Sequence, residues 1–252
     1  SSGMIDLFQT SGVAMTSVDK SGDRVRKMFS EIAPRYDLLN HLLSLNIDRG
    51  WRWRTLSRLE LKPGVPVLDV CTGTGDLALA IAQKQVPEIQ VLATDFCEAM
   101  LAIARTKQTK AGIPEPRLQF LESDTQTLPF ANDTFQAVTV AFGLRNVSDT
   151  GKGIDEILRV CRPGGQVAIL EFSKPWLPGL RQLYNFYFRR VLPWIGQAMA
   201  RNGQGAYRYL PESVADFPSG GELVKILESS GLQQVRCVPM TFGVASLYLG
   251  RK

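Results

Sequence analysis

Ligands for metal, disulfide pairing and membrane-spanning segments are all scarce in this chain. Its 252 residues include a single histidine, His41, and four cysteines, Cys71, Cys97, Cys161 and Cys237, none spaced as Cys-x-x-Cys. A tetrahedral zinc site built on His and Cys is therefore not expected, and unpaired cysteines suit a reducing, cytoplasmic compartment. No apolar run approaches the roughly 20 residues needed to cross a bilayer. The start of the chain has no basic stretch followed by an apolar one, so it does not read as a signal peptide. Residues 1–20 are polar and rich in small side chains, and a mobile tail is expected there. Internal repeats and low-complexity tracts are absent. The net charge of +5 favours anionic surfaces. The arginines are interleaved with aliphatic residues rather than gathered into a stripe, so nucleic acid is not the expected partner.

What is present is organised around residues 67–80, VLDVCTGTGDLALA. An apolar run ends in an acid, a two-glycine turn follows, and a second acid opens an alanine-rich segment. That order predicts strand, tight turn and helix, with backbone N–H groups bared at the turn. Further runs at 89–95, 118–124, 135–142 and 166–172 predict four more strands, and the faces Cys97/Met100/Leu101/Ala104 and Ile154/Ile157/Leu158/Cys161 predict helices between them. Ser219 and Glu222 match a capping box ahead of a helix closed by Gly231, and two final runs predict a strand pair. The expected fold is α/β: a doubly wound, mostly parallel seven-stranded sheet. A single domain is expected over 21–252, with an N-terminal helical cap at 21–62 and a helical insertion at 174–210. Helix periodicity in the cap comes from Val25, Met28, Phe29 and Ile32, ending at Pro34.

Gly73, Gly75 and Ala78 also fit the dinucleotide pattern G-x-G-x-x-A, a weak match by itself. Three acids, Asp69, Asp95 and Asp124, fall at the carboxyl ends of successive strands, where ligands of such sheets bind. Asp69 would repel a pyrophosphate, and Asp124 is placed to accept from an adenine amino group. Three acids around one turn suit a cationic ligand without phosphate, S-adenosylmethionine. Each acid also has a plain local use, as a helix cap for Asp69 or Asp95 and as an Asx turn for Asp124; their joint order favours the ligand.

The succession VLDVCTGTG, ATDFCEAM, SDTQTLPF, FQAVTVAF and RVCRPGGQVAILEFS resembles class I S-adenosylmethionine-dependent methyltransferases. Within that class, YDLLNHLLSLNIDRGWR, AFGLRNV (141–147), RVCRPGGQVAILEFS (159–173) and YRYLPESVADFP (207–218) resemble the ubiquinone/menaquinone biosynthesis C-methyltransferases of UbiE/MenG type. The resemblance spans about residues 24–252. The sequence departs from the pattern with Cys71 where the class often has glycine, Cys161 where an aliphatic residue is usual, and Asp124-Thr125 where some relatives have Asn-Ala.

The resemblance implies methyl transfer from S-adenosylmethionine, without metal, to a ring carbon of a prenylated quinol, with demethylmenaquinol favoured. A benzoquinol, another small molecule or RNA stay open as acceptors. It also implies that Thr74 and the Gly73–Gly75 backbone meet the methionine part of the cofactor, that Asp69 supports its amino group, and that Asp95 binds the ribose hydroxyls. Asp124 and Thr125 would flank the adenine, with Ala141 under the reacting centre. Arg145, Asn146 and Tyr36 would face the acceptor. His41, set in a leucine-rich run, reads as a packing residue rather than a base. The aromatic and basic residues of 176–209, among them Trp176, Tyr184, Phe186 and Arg181, read as a lid over an isoprenoid tail. That surface would be covered by the fold, by anionic lipid at the inner membrane face, or by a partner subunit in a homodimer.

Overall fold

The apolar runs that end in acids become the strands of one sheet. The computed structural model describes residues 22–37, 44, 46–84, 86–179, 182, 186, 190 and 204–252. Its strands are β1 (Val67–Val70), β2 (Val91–Asp95), β3 (Leu118–Glu122), β4 (Phe135–Ala141), β5 (Cys161–Phe172), β6 (Gln233–Met240) and β7 (Ala245–Arg251). Their spatial order is β3-β2-β1-β4-β5-β7-β6, with β7 antiparallel to both neighbours and the other pairs parallel. From β1 the chain winds outward through β2 and β3, then returns to place β4 on the other side of β1. The order therefore reverses between β1 and β4, and the loops leaving their carboxyl ends diverge to open a crevice.

Strands covered on both faces need near-continuous apolar sequence. Val67, Leu68 and Val70 of β1 and Ala137, Val138 and Val140 of β4 are fully buried. Each such Val or Leu is worth about 1.5–3 kcal/mol of transfer free energy. One face is covered by α5 (Thr150–Val160), which buries Ile154 and Ile157 and is capped by Asp149 accepting from Lys152 N at 3.0 Å. The other carries α2 (Asp48–Ser57) and α3 (Asp76–Ala82). Along α4 (Glu98–Lys110), Met100, Leu101 and Ala104 are buried. Val25, Phe29 and Ile32 of α1 (Gly22–Ile32) pack with Met100 and with Tyr209 of α6 (Gln204–Asp216). α7 (Gly221–Ser229) precedes the closing β6–β7 pair.

Two expectations need correction. Cys161 is not on a helix face: α5 ends at Val160, and Cys161 already pairs with Phe135 as the first residue of β5. The Pro163-Gly164-Gly165 run is an irregularity inside that strand. Gly164 has φ +72°, and a Cβ on Gly165 would stand 2.7 Å from both Arg162 O and Cys161 Sγ, so only glycine allows the chain to fold out and rejoin. The Ser219/Glu222 capping box does not form either. Gly220 takes the cap position with no side-chain cap, and its N–H donates to the Tyr248 hydroxyl at 2.6 Å.

The tail over 1–20, His41 and most of the 174–210 insertion, including Arg181 and Tyr184, lie outside the described residues. Among the described residues no helix is long and apolar enough to cross a membrane.

Candidate active site

The turn after β1 is shaped by left-handed backbone at Cys71 (φ +50°), Gly73 (φ +58°) and Gly75 (φ +80°). Glycine is obligatory at Gly75, where a Cβ would stand 3.0 Å from Ala104 Cβ and Phe120 Cζ. Cys71 is strained as a non-glycine residue. Its Sγ lies 3.2 Å from Thr125 Oγ1, and burial pushes its thiol pKa well up. Asp95, at the end of β2, accepts from Gly73 N (2.8 Å) and from Cys97 N (3.0 Å). It thereby ties the turn to the start of α4. Burial raises its pKa to about 6, against the lowering effect of those N–H donors.

Asp69 sits at the switch point itself. It is 1% exposed and accepts from Thr72 Oγ1 and Thr139 Oγ1, both at 2.5 Å. Burial raises its pKa to about 6 as well, while the two hydroxyls and the Arg52 charge pull it back. Asp124 forms the Asx turn: its Oδ1 accepts from Gln126 N at 2.9 Å, and Gln126 Nε2 donates to both carboxylate oxygens.

Two adjoining lobes occupy the crevice. The larger, with about 600 Å³ of empty volume partly open to solvent, brings together Tyr36, Gly73, Asp95, Asp124, Thr125 and Asn146 of the expected set. Phe29, Phe96 and Met100 supply apolar wall. The smaller, about 350 Å³, gathers Asp69, Thr74 and Ala141, together with Arg52, Thr72 and Asp76. Tyr36, Cys71 and Phe142 border both lobes, so the junction lies between the turn and the end of β4. Gly75 stands behind the turn and lines neither lobe.

Arg145 is also behind the wall. Its side chain is 2% exposed. Nη1 donates to Phe142 O at 2.5 Å and to Glu171 Oε2 at 3.0 Å. Burial pulls its pKa down, but the Glu171 carboxylate together with Tyr36 and Tyr209 makes the net direction upward. Among the described residues its Nε is a buried donor without a partner. The carbonyl it grips belongs to Phe142, another non-glycine residue at positive φ (+58°), so the ion pair holds a strained corner of the cleft. Asn146 is oriented from the far side, its Oδ1 accepting from Tyr209 OH at 3.1 Å.

The family model for the ubiE/COQ5 methyltransferase family matches residues 15–252. The chain belongs to this family. It is 44% identical over 241 residues to a Geobacter sulfurreducens protein named ubiquinone/menaquinone biosynthesis C-methyltransferase UbiE, covering 95% of this chain and 93% of that one. It is 46% identical over 223 residues to a Thermus thermophilus protein named demethylmenaquinone methyltransferase, covering 88% of this chain and 99% of the other. Among solved structures, a methyltransferase from Methanococcus maripaludis superposes with TM-score 0.62 at 18% identity, over 89% of this chain and 94% of that one. A SAM-dependent methyltransferase from Aquifex aeolicus gives 0.57 at 22% identity, over 79% and 88%. These two show the shared fold. As a member of the ubiE/COQ5 family, the chain presents at or behind the crevice several residues that motif reading did not assign to the site. Phe96 follows Asp95 directly. Glu171 obeys the same strand-end rule that located the other acids. Arg52 lies in the run Trp51-Arg52-Trp53-Arg54, in which Trp51 packs into the core.

Proposed function

We propose that the protein transfers the methyl group of S-adenosylmethionine to a ring carbon of a prenylated quinol, converting demethylmenaquinol to menaquinol. The observation that carries this reading is the two-lobed crevice at the β1/β4 switch point, in a chain similar over nearly its whole length to named demethylmenaquinone methyltransferases. The residues fit the cofactor. One lobe offers carboxylates and an aromatic–methionine wall to a nucleoside. The other offers Asp69 and hydroxyls to an amino-acid head. The bordering Tyr36 ring packs over the turn, 3.6 Å from where a Gly73 Cβ would be.

When bound, the cofactor supplies a methyl group on positively charged sulfur, already activated for transfer. Asp95 would accept from the ribose hydroxyls as a charge-assisted acceptor, Asp124 and Thr125 would flank the adenine, and Thr74, the Gly73 backbone, Asp69 and Ala141 would hold the methionine part, with Gly75 shaping the turn from behind. The acceptor carbon becomes nucleophilic when a quinol hydroxyl loses its proton, and the ring C–H proton leaves after the new carbon–carbon bond forms. Tyr36 and Asn146 contact the acceptor beside the lobe junction. Arg145 does not deprotonate it. From behind the wall it fixes the Phe142 corner and sets its positive charge beneath the developing phenolate. Holding donor and acceptor in line accounts for much of the rate.

The prenyl tail brings the protein to the inner face of the membrane. Trp176 (64% exposed) and Phe242 (58%) stand together at a ring separation of 6.4 Å, beside exposed Lys174 and Leu177. That aromatic–basic edge suits anionic lipid. A homodimer through the same edge is the competing occupant, and sedimentation with and without anionic vesicles separates the two.

The reaction is tested by incubating the protein with labelled S-adenosylmethionine and a panel of reduced prenylated naphthoquinols, benzoquinols and RNA. Label is expected in the naphthoquinol. Label in RNA with none in any quinol overturns the reading. In calorimetry, Asp95→Ala is expected to abolish cofactor binding; unchanged affinity removes Asp95 from the ribose site.

A further inference from the structure

The smaller lobe has a charge arrangement that the cofactor roles above do not use up. Asp69 and Arg52 both line it, together with Thr72 and Thr74. Arg52 lies close enough to Asp69 to act on its carboxylate electrostatically. A ligand that satisfies both groups carries a cation toward the acid and an anion toward the guanidinium, held a few bonds apart. That is the chemistry of an α-amino-acid head. We propose that Arg52 is the carboxylate-binding residue of this lobe and selects a cofactor that retains its amino-acid carboxylate. This rests on the cofactor reading given above.

The side chain is built for that task. Arg52 is 12% exposed, so its charge is only partly screened. Its Nη1 is held by Asp48, one helical turn back, and Asp48 in turn accepts from Ser44 Oγ at 2.6 Å. This fixes the guanidinium against α2. The second acid near it, Asp76, is 3.5 Å from the same Nη1, an ion contact rather than a close hydrogen bond. No hydrogen bond engages Nε or Nη2 among the described residues. A guanidinium carries five N–H donors in a rigid fork, so an edge remains for a carboxylate in bidentate geometry. The plane is also located by Phe142, whose ring centroid is 5.8 Å from Arg52 Cζ. Phe142 borders both lobes, so the guanidinium stands beside the junction at which the reacting sulfur is expected. The nearby acids do not compete for the whole site. Lys107 bridges Asp37 and Asp76, at 2.6 Å to each, and the Asp48 carboxylate is committed to Ser44 and Arg52.

Ligand truncation separates a direct contact from a structural role. Binding of S-adenosylhomocysteine and of decarboxylated S-adenosylmethionine, which keeps the amino group and lacks the carboxylate, is measured by calorimetry on wild type, Arg52→Gln and Arg52→Lys. Arg52→Gln is expected to weaken S-adenosylhomocysteine binding by about 10- to 100-fold, the range for a lost hydrogen bond to a charged group. Its affinity for the decarboxylated ligand is expected to stay within about twofold of wild type. Arg52→Lys keeps the charge but not the fork, and is expected to fall between the two. Equal losses for both ligands would mean that Arg52 acts only through Asp48 and Asp76, and would overturn the proposal. So would unchanged S-adenosylhomocysteine affinity in Arg52→Gln. Failure of wild type to bind S-adenosylhomocysteine would overturn the cofactor reading first and this proposal with it.

Discussion

Two ionic networks flank the crevice, and they follow opposite rules. Behind the β4 corner, Arg145 and Glu171 form a dry pair with side chains 2% and 1% exposed. Glu171 Oε1 also accepts from Arg145 N at 3.3 Å, and its Oε2 from Phe172 N at 3.1 Å. On the other wall, Lys107 joins Asp37 and Asp76, and Arg52 joins Asp76 and Asp48. Lys107, Asp37 and Asp76 are each about a quarter to a third exposed. The dry pair has no water to fall back on, so each member depends on the other. The Lys107–Asp37–Asp76 part of the second network is hydrated and can exchange partners at little cost, while Arg52 stays anchored on Asp48. A rigid corner thus stands where the acceptor must be aligned, and an adaptable wall where a zwitterionic head must enter and leave.

The largest expected effect is on the dry side. Glu171→Gln strands a buried guanidinium and is expected to lower the unfolding free energy by about 3–5 kcal/mol in urea titrations. The double change Arg145→Met with Glu171→Leu is expected to cost less than that single change, because it removes both charges. A loss below about 1 kcal/mol for Glu171→Gln would erase the distinction between the two walls.

Asp69 lies between the networks and gives a pH signature. Its pKa is raised from 3.8 to about 6 by burial. A proton held more tightly in the folded state contributes stability that is complete below the unfolded pKa and is lost as the pH rises through about 6. At 1.36 kcal/mol per unit the span amounts to at most about 3 kcal/mol. Asp69→Asn cannot ionise, so its stability relative to wild type, without cofactor, is expected to improve between pH 4.5 and pH 7.5. Asp95, raised by burial as well, stays in both proteins, and its charge is a minor cause of the Asp69 shift. A pH-independent difference would mean that Asp69 is solvated like an ordinary surface acid.

Much of this site is legible in the chain because strand ends are. An apolar run followed by an acid marks the carboxyl edge of a parallel sheet, and Asp69, Asp95 and Asp124 all fall on that edge. Glu171 satisfies the same rule. Its importance depends on Arg145, 26 residues earlier, reaching it across the sheet, a pairing that local pattern does not encode. Arg52 is harder still, since α2 must fold back beside α3 before its guanidinium meets the lobe. The misplaced start of β5 has a local cause. Pro163-Gly164-Gly165 reads as a terminator, but the chain folds out there and resumes the same strand. The capping box fails because the Tyr248 hydroxyl, 28 residues further on, accepts from Gly220 N, and the helix starts beside it.

The smallest expected effect is on the wetter wall. Lys107 donates to Asp76 Oδ1 at 2.6 Å and to Thr74 Oγ1 at 3.0 Å, and contacts Asp37 Oδ2 at 2.6 Å. Its surroundings are partly hydrated, however, and Lys107→Met keeps the aliphatic stem that packs along α4. The change is expected to cost about 1 kcal/mol or less, shrinking further in 1 M salt, where the screening length is about 3 Å. The same variant is expected to raise the KM for the cofactor more than it lowers kcat. Asp37, released from Lys107, keeps among the described residues the Thr74 hydroxyl, 2.5 Å from its Oδ1, to fasten the N-terminal segment carrying Tyr36 over the turn. A salt-independent loss above about 2 kcal/mol would put this wall in the same class as the buried pair, and the contrast between a fixed corner and a yielding one would not stand.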